Sequence, residues 1–394
     1  MRNRIAMVSQ RYGLEVNGGA ELLCRQLAEK LTAYYDVTVY TSCAIDYITW
    51  KNEYPQGVET INGVRVIRYP VSKQRNQEQF NEISVRVFSK KHRNKLLEKK
   101  WIDEQGPYCP ELTEYLLVHY TEYDAVLFMT YLYYISAVCL SDRKIKNAIL
   151  IPTAHDEPPI YLNYYKKVFR NAKGLIYNTI EEKAFVENHF HTKKTPNIIT
   201  GVGIDFPDEI PESKIKEKFK LDSYILYVGR IDESKGCKKL FTYFQSYKKR
   251  NSGNLKLALI GKSVMAIPND EDIVSLGFVS DEDKFGLIKN SRCLVLASEF
   301  ESLSIVVLES MALGVPVLVN GNCDVLKGHC VRSNAGLYFT NFFEFEKALN
   351  FIQDNQSVAE IMGRNGITYI NVNYQWECII GKMISLINEI AEIS

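Results

Sequence analysis

Twice along this 394-residue chain, short apolar stretches alternate with glycine-led helical patterns, and that alternation admits few folds. The first series opens with Arg4 to Ser9. It continues through a helix from Gly18 and Gly19 to about Ala33, with Leu22, Leu23, Leu27 and Leu31 on its buried side, and returns in Asp36 to Thr41. The second runs strand Ser223 to Gly229, helix Gly236 to about Arg250, strands Leu255 to Gly261 and Ile273 to Gly277, and helix Asp281 to Lys289. Strand Arg292 to Ala297, helix Ser304 to Leu313 and strand Val315 to Val319 complete it. Units of this kind build parallel sheets covered on both faces. The expected fold class is α/β, with two Rossmann-like βαβ domains facing each other across a cleft, and ligands gather beyond the carboxyl ends of such strands.

A stretch rich in proline and glycine, residues 193–211, holds Pro196, Gly201, Gly203, Pro207 and Pro211 and is the expected join. The reading is an N-terminal domain over 1–200, a C-terminal domain over 201–372, and an amphipathic helix over 373–394 free to cross back onto the first domain. A chain this long exceeds one ordinary core. Its net charge of +1 gives no bulk attraction for nucleic acid, so no nucleic-acid partner is expected.

The longest apolar tract, Ile305 to Val319, is interrupted by Glu309 and Ser310, and the N-terminus carries only Ile5 to Val8 where a secretory core would stand. Nine scattered cysteines form no Cys-x-x-Cys pair. The expectation is a cytoplasmic protein with reduced thiols and no structural zinc. Residues 72–100 hold nine Lys/Arg and three Glu, interleaved with Phe80, Ile83, Val87 and Phe88. They read either as a solvated, partly packed helical insertion or as a peripheral contact with anionic lipid at the inner membrane face.

Four passages carry chemistry. In the first, Ser298-Glu-Phe-Glu-Ser-Leu-Ser-Ile, Glu301 precedes a helix and Glu309 lies within it among Ile305, Val306, Val307, Leu308 and Met311. That helix is apolar almost all round and reads as buried. A buried carboxylate needs donors, which a ligand diol would supply. In the second, a strand ends at Gly229 and is followed by Arg230 and Lys235 on a loop before a helix. Two cations there suit a diphosphate, the alternative being a surface loop with salt bridges. The third is Gly13-Leu-Glu-Val-Asn-Gly-Gly-Ala-Glu21, neither a dinucleotide fingerprint nor a P-loop, in which Gly18 and Gly19 at a helix start make either an anion site or a plain tight turn. The fourth is Ile151-Pro-Thr-Ala-His-Asp-Glu-Pro-Pro159, a rigid polar loop past a strand end. There His155 is either packed or a sugar contact, with Asp156 placed to orient its ring.

These passages, in this order, resemble the large retaining glycosyltransferase family of the GT-B architecture (glycosyl transferases group 1, family 4), whose signature is a pair of glutamates with seven residues between. The resemblance implies that Glu301 contacts the donor sugar and Glu309 the nucleotide ribose. It implies that Arg230 and Lys235 neutralise the leaving diphosphate and that His155 lies near the donor sugar. Gly18 and Gly19 would approach the donor phosphate and the acceptor. Gly229 and the helix-start residues Ser302, Leu303, Ser304 and Ile305 join the donor site, and Phe278 and Val279 of Gly277-Phe-Val-Ser280 match the base-contacting loop. Gly201-Val-Gly-Ile-Asp205 and Tyr374-Gln-Trp376 match further family segments. This chain has Ser302-Leu-Ser304 where Gly-Phe-Gly is common, which keeps the backbone N–H groups and adds hydroxyls.

The activity so implied is retaining transfer of a hexose from a UDP- or GDP-sugar to a saccharide or lipid-linked acceptor, in cell-surface polysaccharide or glycan synthesis. No cofactor or metal is expected, because Arg230, Lys235 and helix N-termini supply positive charge. The rivals are a sugar-nucleotide epimerase on the same fold and a non-catalytic nucleotide-sugar-binding subunit. Tyr47, Trp50 and Tyr54 read equally as sugar-stacking or core residues.

Overall fold

The computed structural model describes residues 3–89 and 94–393. The chain divides into two compact units, one formed by Met1–Val202 with Glu377–Ser394 and the other by Gly203–Trp376.

In the first unit, β1 (Arg4–Val8), β2 (Asp36–Ser42), β3 (Gly57–Ile61), β4 (Val64–Tyr69), β5 (Ala125–Met129), β6 (Ala148–Ile151), β7 (Gly174–Tyr177) and β8 (Asn197–Ile199) form one eight-stranded sheet. Its order is β3-β4-β2-β1-β5-β6-β7-β8. Every pairing is parallel except β3 with β4. The central strands are unbroken apolar runs because helices cover both faces: all of β5, Ala-Val-Leu-Phe-Met, is buried. The antiparallel hairpin turns at Asn62 and Gly63, with φ of 49° and 81°. Left-handed values at both positions match the twist of the flanking strands.

The basic segment folds inward. Helix Gln77–Phe88 is capped by Asn76, whose side chain accepts from the Gln79 N–H at 3.0 Å. Ile83 and Val87 are buried, and the Phe80 and Phe88 rings lie 5.9 and 5.4 Å from the Trp101 ring. All four apolar side chains singled out in the sequence therefore serve packing. Among the residues that stay exposed are Val85 and Arg86, then Lys95, Leu96, Lys99 and Lys100. Residues 90–93, part of the same basic segment, lie outside the described residues.

Trp50 is core, fully buried with its indole N–H donating to the Gln105 carbonyl at 2.8 Å. Tyr54 stacks under the Arg68 guanidinium at 3.8 Å and Tyr47 lies under that of Arg11 at 5.3 Å.

The second unit is a six-stranded, wholly parallel sheet of β9 (Tyr224–Val228), β10 (Lys256–Ile260), β11 (Ile273–Gly277), β12 (Leu294–Leu296), β13 (Val317–Asn320) and β14 (Gly336–Phe339). The order β11-β10-β9-β12-β13-β14 winds outward from β9 one way, then outward from β12 the other. The adjacent pair β9 and β12, with Leu226 opposite Leu294, is thus the switch point where open α/β sheets bind ligands.

Two sequence segments far apart meet in this unit. The Trp376 indole covers Gly203, where a Cβ would lie 2.5 Å from the ring, and its N–H donates to Asp205 at 3.0 Å. The C-terminal helix is Trp376–Ile393, separated from helix Gln356–Asn373 by Tyr374 and Gln375. Its residues from Glu377 onward belong to the first unit, where Lys382 donates to the Ile199 carbonyl at 3.4 Å. All nine cysteines are free thiols, eight of them buried and Cys378 exposed. Among the described residues, no helix is long and apolar enough to cross a membrane.

Candidate active site

At the switch point, the loop after β9 and the loop after β12 bring opposite charges together. Lys235 Nζ lies 2.8 Å from Glu301 Oε1, and Arg230 Nε lies 2.9 Å from Asp232 Oδ2. Asp232 accepts the Ser234 N–H at 2.8 Å and so shapes the short 3-10 turn Glu233–Lys235. Burial opposes ionisation of Asp232, yet the Ser234 N–H and the Arg230 and Lys235 charges hold its carboxyl below the usual range. The sequence placed the two cations beside each other; the structure shows that each comes with a carboxylate.

The backbone around them is held from behind. Tyr227 donates to the Arg230 carbonyl at 2.7 Å. The buried Asn320 amide donates to the carbonyls of Ala297 and Ser298 at 3.3 and 3.2 Å, fixing the exit of β12. Gly236, with φ of 71°, caps helix Cys237–Arg250 and packs so closely that a Cβ would sit 2.1 Å from the Ala297 carbonyl oxygen. Two loops remote in sequence are thereby in backbone contact.

The segment leading into helix Ile305–Ala312 is strained at its last residue. Ser304 has φ of 67°, a left-handed conformation that costs a non-glycine residue about 1 kcal/mol or more. Leu303 was expected to meet the donor; its side chain is buried, so only its backbone remains for a ligand. Its carbonyl accepts from the imidazole of His329 at 2.9 Å, and the other ring nitrogen faces the Tyr369 hydroxyl at 3.2 Å. His329 was not singled out from the sequence, because a lone histidine in a helix carries no pattern. Ser302, Ile305 and Val279 are half-buried, and Phe278 is exposed just beyond the end of β11.

Burial pushes the His329 imidazole down to about 4, with the Leu303 carbonyl opposing and Arg332 assisting. A histidine depressed in the folded state binds fewer protons than in the unfolded state between its two pKa values. Its contribution is therefore complete above about 6.5 and is lost as pH falls through that window towards about 4. Unfolding free energy from denaturant titration should drop by about 1–2 kcal/mol between pH 7 and pH 5 on this account. His329→Gln should remove that part of the drop. An unchanged pH dependence would exclude His329 as its source.

Glu309 is buried, as its apolar helix required, but it is not without a partner. Lys284, from helix Asp281–Asn290, places Nζ 2.9 Å from Glu309 Oε1 and 3.2 Å from Asp281 Oδ1. Burial disfavours the ammonium, but the Glu309 and Asp281 carboxylates outweigh it and raise the lysine above its usual range. Lys284 was missed because it stands in a run of charges, Asp-Glu-Asp-Lys, that reads as a solvated surface.

In the first unit, Gly18 caps helix Gly19–Leu31, and both glycines are exposed. The buried Glu21 in the first turn accepts from Gln10 at 2.8 Å and from Arg11 at 2.5 Å. Arg11 also donates to the Ile45 and Asn17 carbonyls, so it buttresses the glycine loop. His155 follows β6. The Glu157 carboxylate lies 3.7 Å from its Nδ1, and Asp156 accepts from the Tyr161 hydroxyl at 2.6 Å. Glu157 in turn accepts from Tyr131 at 2.9 Å.

Thr130 and Thr153, just past the ends of β5 and β6, have φ of 61° and 48°, an unusual state for β-branched residues. The His155 loop is tied down by the buried Glu182, which accepts from the Ala154 and Asn178 N–H groups at 2.6 Å each. Burial pushes the Glu182 carboxyl up to about 8 against the pull of those N–H groups. Among the described residues, no group of three or more His, Cys, Asp or Glu side chains is placed to hold a metal ion.

The family Glycosyl transferases group 1 matches residues 208–369. The uncharacterized glycosyltransferase MJ1607 of Methanocaldococcus jannaschii is 25% identical over 410 residues, spanning 97% of each chain. Three other curated relatives align over only 41%, 57% and 38% of their own length. Among solved structures, sucrose-phosphate synthase from Thermosynechococcus elongatus superimposes with a TM-score of 0.75 at 18% identity, covering 100% of both chains. HepE of Anabaena, in a crystal with UDP and glucose, gives 0.68 at 13% identity, covering 98% of this chain and 100% of its own. At such identities the structures speak for the fold, GT-B with two parallel-sheet domains, while the sequence matches show a chain similar to the group 1 glycosyltransferases, by family model over residues 208–369.

Proposed function

We propose that the chain transfers a hexose from a UDP- or GDP-linked donor to a saccharide or lipid-linked acceptor, with retention at the anomeric carbon. The observation that carries this reading is the Lys235–Glu301 pair at 2.8 Å beside Arg230, at the switch point of the second unit. Breaking the bond from anomeric carbon to diphosphate leaves negative charge on the departing oxygen. A guanidinium can grip two phosphate oxygens and an ammonium adds a point charge, which together do what a divalent ion would otherwise do. Glu301, once its lysine engages phosphate, can accept from sugar hydroxyls. Phe278 offers an aromatic face to the base, and Glu309 accepts from the ribose.

On the front-face path, the acceptor hydroxyl attacks from the side the diphosphate leaves and passes its proton to a departing phosphate oxygen. No protein nucleophile takes part. His155 in the first unit contacts the donor sugar, and the glycine loop at Gly18 and Gly19 meets donor phosphate and acceptor. UDP is the first donor nucleotide to try, since the HepE crystal holds UDP and glucose. A role in glycan assembly at the cytoplasmic membrane face fits the exposed Arg86, Lys95, Lys99 and Lys100 around Val85 and Leu96.

The test is product analysis with UDP- and GDP-hexoses and a panel of glycan acceptors. A retained anomeric configuration by NMR, undiminished by EDTA, is the expected result. An inverted product, an EDTA-abolished rate or an epimerised donor would each overturn the corresponding part. Glu309→Ala should weaken nucleoside diphosphate binding about 10- to 100-fold in calorimetry, the worth of a hydrogen bond to a charged group. Unchanged affinity would count against the ribose contact.

A further inference from the structure

Lys284 occupies a position that a solvated charge would not take. Helix Asp281–Asn290 starts directly after Gly277-Phe278-Val279, capped by the Ser280 hydroxyl, which accepts from the Asp283 N–H at 3.2 Å. In its acidic first turn Asp281 and Glu282 face outward, Asp281 being 79% exposed, but Lys284 turns inward and is 17% exposed beside the 9% of Glu309. An ammonium has three donors and no acceptor, and two of the three are directed at Asp281 Oδ1 and Glu309 Oε1, at 3.2 and 2.9 Å.

On Glu309, Oε1 is thus engaged, and no hydrogen bond from the described residues reaches Oε2. A carboxylate tethered through one oxygen has a fixed plane, and its second oxygen points in one direction. Without the tether, the same buried carboxylate would lose its charged partner and its fixed orientation. A vicinal diol donates two hydrogens from one side, which suits a carboxylate held in a single orientation.

We propose, resting on the reading of Glu309 as a ribose contact, that Lys284 is a positioning residue for nucleotide recognition: it fixes the Glu309 carboxylate for the ribose diol and so sets the preference for ribonucleoside over 2′-deoxyribonucleoside diphosphates. Because the helix that carries Lys284 begins at the proposed base loop, one short element links the base and ribose contacts.

The experiment is calorimetric binding of UDP, GDP and their 2′-deoxy counterparts to the full chain and its variants. Wild type should prefer a ribonucleotide by about 10-fold or more. Lys284→Met should reduce that preference below about 2-fold, and Lys284→Arg, which keeps the charge and the tether, should restore most of it. Combining Lys284→Met with Glu309→Gln should lose no more than Glu309→Gln alone, since one residue acts through the other. This double variant also leaves no buried charge unpaired, so it serves if Lys284→Met folds poorly.

A preference intact in Lys284→Met, equal weakening of both ligands, or additive losses in the double variant would overturn the proposal. A preference intact in Glu309→Gln would instead refute the ribose reading itself. A wild type that binds none of the four nucleotides would sink both.

Discussion

Arg230→Ala is expected to lower turnover about 100- to 1000-fold at saturating donor, the effect of removing one charge-stabilising donor from a transition state. The melting temperature should move little, because Arg230 is partly exposed and Asp232 keeps its bond to the Ser234 N–H. Steady-state release of nucleoside diphosphate measures the first and thermal unfolding the second. Arg230→Lys should recover only part of the rate, since an ammonium cannot hold two oxygens in one plane. Wild-type turnover in a folded Arg230→Ala protein would remove the residue from the chemistry.

Gly236→Ala should be the most damaging small substitution near the site. The backbone there has φ of 71°, and the new methyl would stand 2.1 Å from the Ala297 carbonyl oxygen, an atom of the main chain that cannot rotate away. Left-handed strain of about 1 kcal/mol adds to the displacement of one loop by the other, together about 2–4 kcal/mol. For a unit of this size that corresponds to a fall in melting temperature of about 5–10 °C. Activity should fall further than stability does, because Lys235 precedes Gly236 and the chain from Ala297 leads to Glu301. A variant with normal melting and normal turnover would show that the two loops need no close approach.

Of the fourteen strands among the described residues, β1, β2 and β9 to β13 were legible because buried parallel strands are apolar throughout and are punctuated by glycine. Tyr224–Val228 before Gly229, and Lys256–Ile260 before Gly261, need nothing from the rest of the chain to be read. The hairpin of β3 and β4 was not read, although Asn62-Gly63 is the turn that joins its strands. Glu182 was not read either, although it stands three residues after Thr179, whose hydroxyl accepts the Glu182 N–H at 3.1 Å.

Lys284 and His329 were illegible for a different reason. Nothing local distinguishes them from surface residues, and only the packing of one helix on another turns them inward. Two carboxylates follow His155 in the sequence, and only the loop geometry shows that Glu157 comes within 3.7 Å of its Nδ1. Trp50 could not be assigned until the Gln105 carbonyl that satisfies its indole was in place.

The matching of Arg230 to Asp232 and of Lys235 to Glu301 has a consequence for selectivity. A loop bearing a guanidinium and an ammonium would, if left bare, attract orthophosphate and other small anions. A quartet of equal and opposite charges is electrically quiet at a distance. A stray anion that displaces one carboxylate strands it and gains little. On the proposed function, a sugar nucleotide would bring hydroxyls to receive the displaced Glu301 along with oxygens for Lys235, and so would exchange both partners of that pair at once.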